Sequence, residues 1–133
     1  MPQTKLKQDQ LSLTENVVFQ IACSDNTTAI TSGTSKAYFR APYAFTVTAV
    51  KASLLTAQTS GSIFTVDINE GGTSILSTKL TIDNNEKTST TAATAAVISD
   101  SAIADDAEIT IDVDQAGTSP AGLIVTIIGT RSI

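Results

Sequence analysis

Short segments of this chain alternate strictly between hydrophobic and polar residues. Residues 62–69 place Phe64, Val66 and Ile68 on one side of an extended chain, and residues 108–114 repeat the pattern. Successive side chains of a β-strand point to opposite faces, so this period of two predicts strands with one buried face. By the same criteria the sequence predicts about eight strands. They cover residues 17–23, 36–42, 44–56, 62–69, 73–82, 96–99, 108–114 and 123–130.

Gly, Asn, Asp and Ser residues separate these segments and mark the turns. Glu70-Gly71-Gly72 is typical of a hairpin turn, and Asp83-Asn84-Asn85 is typical of a second turn. Within residues 44–56 the hydrophobic positions shift from odd to even numbers near Ala49–Lys51, which predicts a β-bulge. Short strands with regular spacing and such turns predict an all-β fold, a β-sandwich of about eight strands with jelly-roll-like topology.

The first 16 residues lack this alternation. They are mostly polar, include Lys5 and Lys7, and contain only isolated hydrophobic residues. We therefore expect residues 1–16 to form an extended N-terminal arm and residues 17–133 to form the sandwich. These few hydrophobic residues cannot offset the loss of conformational entropy when the arm becomes ordered. We therefore expect the arm to become ordered only when it binds a partner. Its predicted contact residues are Leu6, Leu11 and Leu13.

The last segment, residues 123–130, is hydrophobic on both faces. Leu123, Val125 and Ile127 lie on one face, and Ile124 and Ile128 lie on the other. A strand with one solvated face should alternate, so both faces of this strand should be covered. A loop over a central strand is one explanation, and a subunit interface near a symmetry axis is the other. We favour the interface and predict a homotrimer with Ile124 or Ile128 in the contact.

The composition supports the β assignment and excludes several kinds of site. The chain has 22 Thr and 14 Ser among 133 residues, and Thr favours strands. It has no His and one cysteine, Cys23, which excludes a Ser-His-Asp relay and a four-cysteine zinc site. A net charge of −5 disfavours nucleic-acid binding, which needs a cationic surface. No hydrophobic run approaches the roughly 18–20 residues of a membrane span, and residues 1–19 lack the hydrophobic stretch expected of a secretory signal. We expect a protein made in the cytoplasm that binds neither nucleic acid nor membrane.

Carboxylates provide the one candidate for catalysis. Asp112 and Asp114 lie two residues apart on one face of a predicted strand, with Glu108 further along it. Paired carboxylates perform glycoside hydrolysis, but such pairs are also common on solvated strands. The chain has no Trp, two Tyr and four Phe, which leaves few aromatic rings to stack on a sugar. We therefore expect no enzyme activity and no catalytic residues.

Acidic turns at Asp83–Glu86 and Asp105–Asp106 are candidates for a loose calcium site. Asp and Asn are also frequent in turns because their side chains bond to the nearby backbone. The segment that starts at Asp67 fails as an EF-hand because Thr78 stands where a bidentate glutamate is required. We expect no metal and no cofactor. We also expect an inert, buried thiol at Cys23, since no His is present to activate it.

Most of the chain resembles a small structural protein of tailed bacteriophages. The resemblance covers residues 24–131, in the blocks SDNTTAITSGTSKAYFRAPYAFTVTAVKASL, GSIFTVDINEGGTSILSTKLTIDNNEKTSTTAATAAVISD, DDAEITIDVDQAG and GLIVTIIGTR. The most specific pieces are FTVDIN with ILSTKLTID, and AEITIDVDQ. These residues form strands and turns, so the resemblance implies a β-sandwich of the virion and not an active site.

The resemblance leaves the place in the virion open, because similar domains occur on capsid surfaces and in tail fibres. The expected function is a capsid decoration or cement protein that binds the capsid surface as a homotrimer. Its expected partners are other copies of itself and the major capsid protein or other virion proteins. The alternative is a tail-fibre or spike tip domain that binds a glycan of the host surface.

Overall fold

The computed structural model describes residues 13–133. This part of the chain contains eleven β-strands and one short 3-10 helix at Ser89–Thr91. The strands are β1 (Thr14–Ala22), β2 (Gly33–Arg40), β3 (Phe45–Thr56), β4 (Phe64–Glu70), β5 (Thr73–Ser74), β6 (Leu76–Thr78), β7 (Leu80–Ile82), β8 (Val97–Ile98), β9 (Ala102–Ile103), β10 (Glu108–Gln115) and β11 (Ala121–Ser132). Within residues 13–133, no helix has the length and hydrophobicity to cross a membrane.

Most of the strands form two antiparallel sheets. Sheet A has the order β1-β11-β3-β9, and sheet B has the order β2-β10-β4-β5, with β7 also paired to β4. Consecutive long strands alternate between the two sheets. β1 and β2 are therefore the edge strands of their sheets, and β11 and β10 are the strands next to them. This is the strand order of a jelly roll, and it confirms the all-β sandwich predicted from the sequence. A small third sheet pairs β6 with β8.

The hydrophobic core lies between sheets A and B. The inward side chains of β10 are almost wholly buried, as their alternation predicted, and those of β11 are buried as well. Five aromatic residues belong to this core or pack against it, and Phe19 on β1 contacts three of the others, Phe39, Tyr43 and Phe45. The ring of Phe19 stacks on Phe39 with centroids 5.3 Å apart and packs against Phe45 at 4.9 Å. These aromatic contacts join the first strand of sheet A to the first strand of sheet B.

The first strand begins earlier than the sequence indicated. β1 starts at Thr14, so the last three residues of the predicted arm, 14–16, belong to sheet A. Thr14 and Asn16 are exposed on the outer side of the strand. Polar residues are expected at such positions of a sheet and also in a solvated arm. Glu15 lies on the inner side but forms an ion pair with Arg131 at the end of β11. Polarity alone therefore could not distinguish the start of this strand from an arm.

The segment 73–82, predicted as one strand, is three short ones, β5, β6 and β7. Ser74 causes the first break, because its hydroxyl accepts from the Leu76 N–H and donates to the Asp67 carboxylate at 2.5 Å. The backbone then continues past Ile75, whose N–H donates to the Ile68 carbonyl at 2.9 Å. As a result the segment covers part of the outer side of β4, and Asp67 and Asn69 are buried there.

The predicted bulge in β3 is present. Pairing between β11 and β3 shifts register between Ile128, opposite Ala49, and Gly129, opposite Val47. Gly129 is required at this point because a Cβ atom there would overlap the Thr46 carbonyl oxygen. The extra residue in β3 moves the hydrophobic side chains from odd to even positions while keeping them on the core face.

The two ends of the sandwich are built from different parts of the chain. At one end, β1 begins beside the end of β11, where Thr14 pairs with Ser132. At the other end lie the loops 23–32, 57–63, 83–86 and 116–120. These loops are connected to one another: the Ile30 N–H donates to the Pro120 carbonyl at 2.7 Å, and the Thr118 N–H to the Ser60 carbonyl at 3.0 Å.

Candidate functional site

The outer face of sheet A is nearly uncharged. Three rows of paired residues cross β1, β11 and β3, and Lys51 is the one charged side chain in them. The first row is Val18, Ile128 and Ala49; the second is Gln20, Thr126 and Lys51; the third is Ala22, Ile124 and Ser53. We call these nine residues the neutral face. Its outer rows are mainly hydrophobic, and its middle row is polar.

Large hydrophobic side chains on the neutral face are open to solvent. Val18 is 58% exposed and Ile124 is 41% exposed, while Ile128 is half-buried between its neighbours on β1 and β3. Each neighbouring inward residue of β11, such as Val125, is fully buried. Scattered single hydrophobic residues are normal on protein surfaces, whereas aligned ones on adjacent strands are typical of a contact surface.

The structure places the predicted interface residues as follows. Ile124 and Ile128 both lie on the neutral face, in different rows. Leu13 is 50% exposed at the start of sheet A, where its carbonyl accepts from the Ile133 N–H at 3.2 Å. Leu6 and Leu11 fall outside the described residues. Within residues 13–133 no loop covers Ile124, so the exposed side of β11 keeps the interface explanation open.

The predicted interface residues did not include three hydrophobic residues of this face, Val18, Ala22 and Ala49. Val18 and Ala49 lie in one row with Ile128, although they are 31 residues or more apart in sequence. The signal for Val18 was present, because VVFQIA is hydrophobic at even and odd positions alike. Only the pairing register of β1 and β3 with β11 brings these residues together, and no single-segment pattern contains it.

The outer face of sheet B has the opposite character. It carries Asp67 on β4, Asp112 and Asp114 on β10, and Lys79 beside them. Lys79 forms an ion pair with Asp114, and its ammonium lies 3.7 Å from the Asp67 carboxylate. The hydrogen bond to Asp114 is the main cause that raises the pKa of Lys79. Tyr38 on β2 is 67% exposed on the same face, opposite Thr110 of β10.

The carboxylates considered for catalysis already have structural partners. One oxygen of Asp112 accepts from the Ser35 N–H at 2.8 Å, and the other accepts from the Asn69 amide at 2.9 Å. Ser35 has a left-handed backbone with φ of 50°, in the irregular part of the β2–β10 pairing. Asp112 therefore holds β2 and β4 against β10. Glu108 lies at the far end of the strand, 3.8 Å from the Arg40 guanidinium.

The carboxylates of the acidic turn Asp83–Glu86 are hydrogen-bonded to the segment that follows it. Asp83 accepts from the Ala93 N–H at 2.9 Å, and Glu86 accepts from the Thr91 hydroxyl at 2.8 Å. In the described part of the chain, no three Cys, Asp or Glu side chains are grouped closely enough to hold a metal ion. The prediction that no metal is needed remains a prediction.

Cys23 is buried at the end of β1. Burial raises the pKa of its thiol to about 11, although a backbone hydrogen bond from Val125 acts in the opposite direction. A neutral, buried thiol is a poor nucleophile and a poor metal ligand. The Cys23 thiol donates instead to the Ile21 carbonyl at 3.5 Å.

Comparison with known proteins adds no relative. The chain matches no protein-family model, no curated protein and no solved structure. The fold, the neutral face and the charged outer face of sheet B are therefore the basis for any functional proposal.

Proposed function

We propose that this chain is a structural protein of a bacteriophage virion, a capsid decoration or cement protein that covers the capsid surface as a homotrimer. The observation that carries the proposal is the neutral face, which presents aligned hydrophobic side chains on a rigid sheet. The resemblance of residues 24–131 to tailed-phage structural proteins supports the virion role. Jelly rolls are also the fold of many capsid domains, although this support is an analogy of fold alone.

In this proposal the neutral face forms the contact between subunits. Burying Val18, Ile124 and Ile128 in a contact stabilises that contact by about 25 cal/mol for each Å² of hydrophobic surface removed from water. Lys51 in the middle row lies at an edge of the contact, where its long side chain reaches water. The polar outer face of sheet B remains exposed on the particle.

Light scattering of two variants tests the trimer. Ile124→Asp and Ile128→Asp each place a charge on the neutral face, so both should reduce the particle mass to one third, for example from about 41 kDa to 13.8 kDa for a trimer without further contacts. Tyr38→Asp is the matched control, because it places the same charge on the outer face of sheet B and should leave the trimer intact. Circular dichroism must show a folded chain. A wild-type monomer at micromolar concentration would contradict the trimer.

Copy number in the purified virion tests the location. Hundreds of copies for each particle are expected for a protein that covers the capsid. A few dozen copies or fewer would instead identify a component of the tail.

Tyr38 favours the second candidate function, a tail-fibre or spike tip domain that binds a host glycan. Its ring is exposed, and Thr110, opposite it on β10, provides a hydroxyl group. A flat aromatic ring beside hydrogen-bonding groups suits a sugar ring. Adsorption of fluorescent protein to host cells is the test: Tyr38→Ala should abolish adsorption if this function holds, and equal adsorption of both proteins would reject it.

A hydrolase that uses Asp112 and Asp114 is the third class to test. Release of reducing sugar from the host polysaccharide, measured with wild type and with the Asp112→Asn, Asp114→Asn double variant, decides this. We expect no release by either protein.

A further inference from the structure

The outer edge of β1 is a long strand edge without protection. β1 lies at the end of sheet A, and its nine residues pair with β11 without a register shift. Among the described residues nothing pairs with its other side. Natural sheets protect such edges with charged side chains, proline, bulges or very short strands, because an open edge pairs with other chains.

The other sheet edges show these protections, and β1 shows none. β5 and β9 have two residues each, and β2 carries Lys36 and Arg40 and is interrupted at Ser35. β1 has the sequence TENVVFQIA, with no proline and with one charge, Glu15, which pairs with Arg131 on the inner side. The outward side chains at positions 14, 16, 18, 20 and 22 are all uncharged.

The hydrogen bonds to β11 identify the free backbone groups. The Cys23 N–H donates to the Leu123 carbonyl, and the Ile133 N–H donates to the Leu13 carbonyl. Hydrogen-bonded pairs alternate along an antiparallel ladder, so the odd positions of β1 bond to β11. The N–H and C=O groups of the even positions, from Thr14 to Ala22, therefore point away from the sheet.

We propose that β1 pairs antiparallel with β1 of a second copy of this chain, about a two-fold axis at Val18. Val18 is the middle residue of β1, so only a register centred on it pairs all five free positions. Val18 then lies opposite itself, Asn16 opposite Gln20, and Thr14 opposite Ala22. This gives about ten backbone hydrogen bonds between the two chains.

The side chains fit this register. No charge faces a like charge, and the amides of Asn16 and Gln20 lie within reach of one another. The row of Val18, Ile128 and Ala49 joins its copy across the axis, which doubles the length of the hydrophobic row. The inference does not depend on the virion role, and the contact is distinct from packing across the neutral face.

Disulfide formation tests the register directly. In a hydrogen-bonded pair the Cα atoms lie about 5.5 Å apart, so Val18→Cys should form a covalent dimer of the full chain on mild oxidation. Gln20→Cys is the matched control, because its two copies would lie about 13 Å apart, too far for a disulfide. Both variants retain the buried Cys23, so any contribution of that thiol is equal. Absence of a dimer with Val18→Cys, or equal dimer with both variants, would overturn the proposal.

A proline separates edge pairing from packing across the neutral face. Val18→Pro removes an N–H that makes no bond among residues 13–133, so the folded subunit should survive while the particle mass falls by half. Val18→Ala keeps that N–H and should keep the mass. A hexamer that becomes a trimer supports both contacts, and a dimer that becomes a monomer supports the edge alone. A wild-type trimer that Val18→Pro leaves unchanged rejects edge pairing and supports packing across the neutral face. A wild-type monomer rejects both contacts. If residues 1–12 of the same chain cover the edge, Val18→Pro should leave the particle mass unchanged, which also rejects the edge contact.

Discussion

At the scale of single residues, Gln58 connects the loops at one end of the sandwich. Its side chain is fully buried, and its amide N–H groups donate to the Ser62 carbonyl at 2.8 Å and to the Asn84 side chain at 2.5 Å. Its carbonyl oxygen has no hydrogen-bond donor in the described part of the chain and lies against Gly117. A weak C–H···O contact is the interaction available to that oxygen, and it requires a glycine at position 117.

Gly117→Ala should therefore destabilise the protein. The new Cβ would overlap the Gln58 carbonyl and lie 2.7 Å from the Ser62 carbonyl, and φ at this position is +70°. We expect a loss of about 1–3 kcal/mol in the free energy of unfolding, measured with urea. Gly71→Ala is the matched control, because φ there is +56° and nothing lies within 4 Å of the new Cβ. Gly71→Ala should lower the free energy of unfolding by roughly 1 kcal/mol, the cost of a left-handed backbone for alanine. An equal loss in Gly117→Ala and Gly71→Ala would contradict the role of Gln58.

Cys23 gives a pH-dependent prediction. The folded state raises the pKa of its thiol from 9.0 to about 11, so between these values the unfolded chain loses its thiol proton first. The free energy of unfolding should therefore fall as pH rises from about 9 to 11, an effect that Cys23→Ala should remove. Alkylation by iodoacetamide at pH 8 should be slow until denaturant is added. Rapid labelling of the folded chain would show that the thiol is accessible.

At the scale of elements, Asp112 stabilises the pairing of three strands of sheet B. β10 lies between β2 and β4. The Asp112 carboxylate accepts hydrogen bonds from Ser35 on β2 and from Asn69 on β4. Its carboxylate thus compensates for the irregular backbone of β2. Asp114, two residues on, bonds only to the partly exposed Lys79. The two aspartates look equivalent in the sequence and have different structural roles.

Alanine variants should separate these roles. Asp112→Ala leaves the Ser35 N–H and the Asn69 amide without an acceptor, so we expect a loss of about 1–3 kcal/mol in the free energy of unfolding. Asp114→Ala should cost less than about 1 kcal/mol, as is usual for an ion pair near the surface. Urea denaturation measures both, and similar costs would show that Asp112 is an ordinary surface residue.

The sequence predicted the strands that alternate and missed details that depend on pairing. The segments 62–69 and 108–114 were placed within two residues because their inward side chains meet a single core. The break at Ser74 was not predictable, since it depends on Asp67 of another strand. Likewise Ile124 and Ile128 were identified from one segment, whereas Val18 and Ala49 joined them only through the register of sheet A.

At the scale of the whole molecule, the two outer faces of the sandwich differ in charge. The neutral face of sheet A has one charged residue, Lys51, while sheet B carries Arg40, Lys79, Asp112, Asp114 and Glu108 on its outer side. Charged side chains resist burial in a contact, so sheet A is the better contact surface. The free edge of β1 belongs to the same sheet, and both proposed contacts therefore use one side of the molecule.

Deletion of residues 1–12 tests the proposed arm without disturbing β1. We expect the shortened chain to keep its fold and oligomeric state and to lose attachment to virus particles, because Leu6 and Leu11 would be absent. Binding of the full chain should weaken in salt if Lys5 and Lys7 contribute, since charges are screened beyond about 8 Å at physiological ionic strength. Sedimentation with particles that lack the protein measures both effects. Full occupancy by the shortened chain would place the attachment on the sandwich itself.

The position of β11 has a consequence for how this protein is made. β11 lies between β1 and β3, so among the described residues β1 has no neighbour in sheet A until β11 has been synthesised. Sheet A can therefore form only after β11 emerges from the ribosome, and we expect this step to be slow because it pairs residues distant in sequence. During that interval both edges of β1 are open to pairing with other chains. Chains that end before Ala121 should accumulate as insoluble or degraded protein, even though ten of the eleven strands are complete.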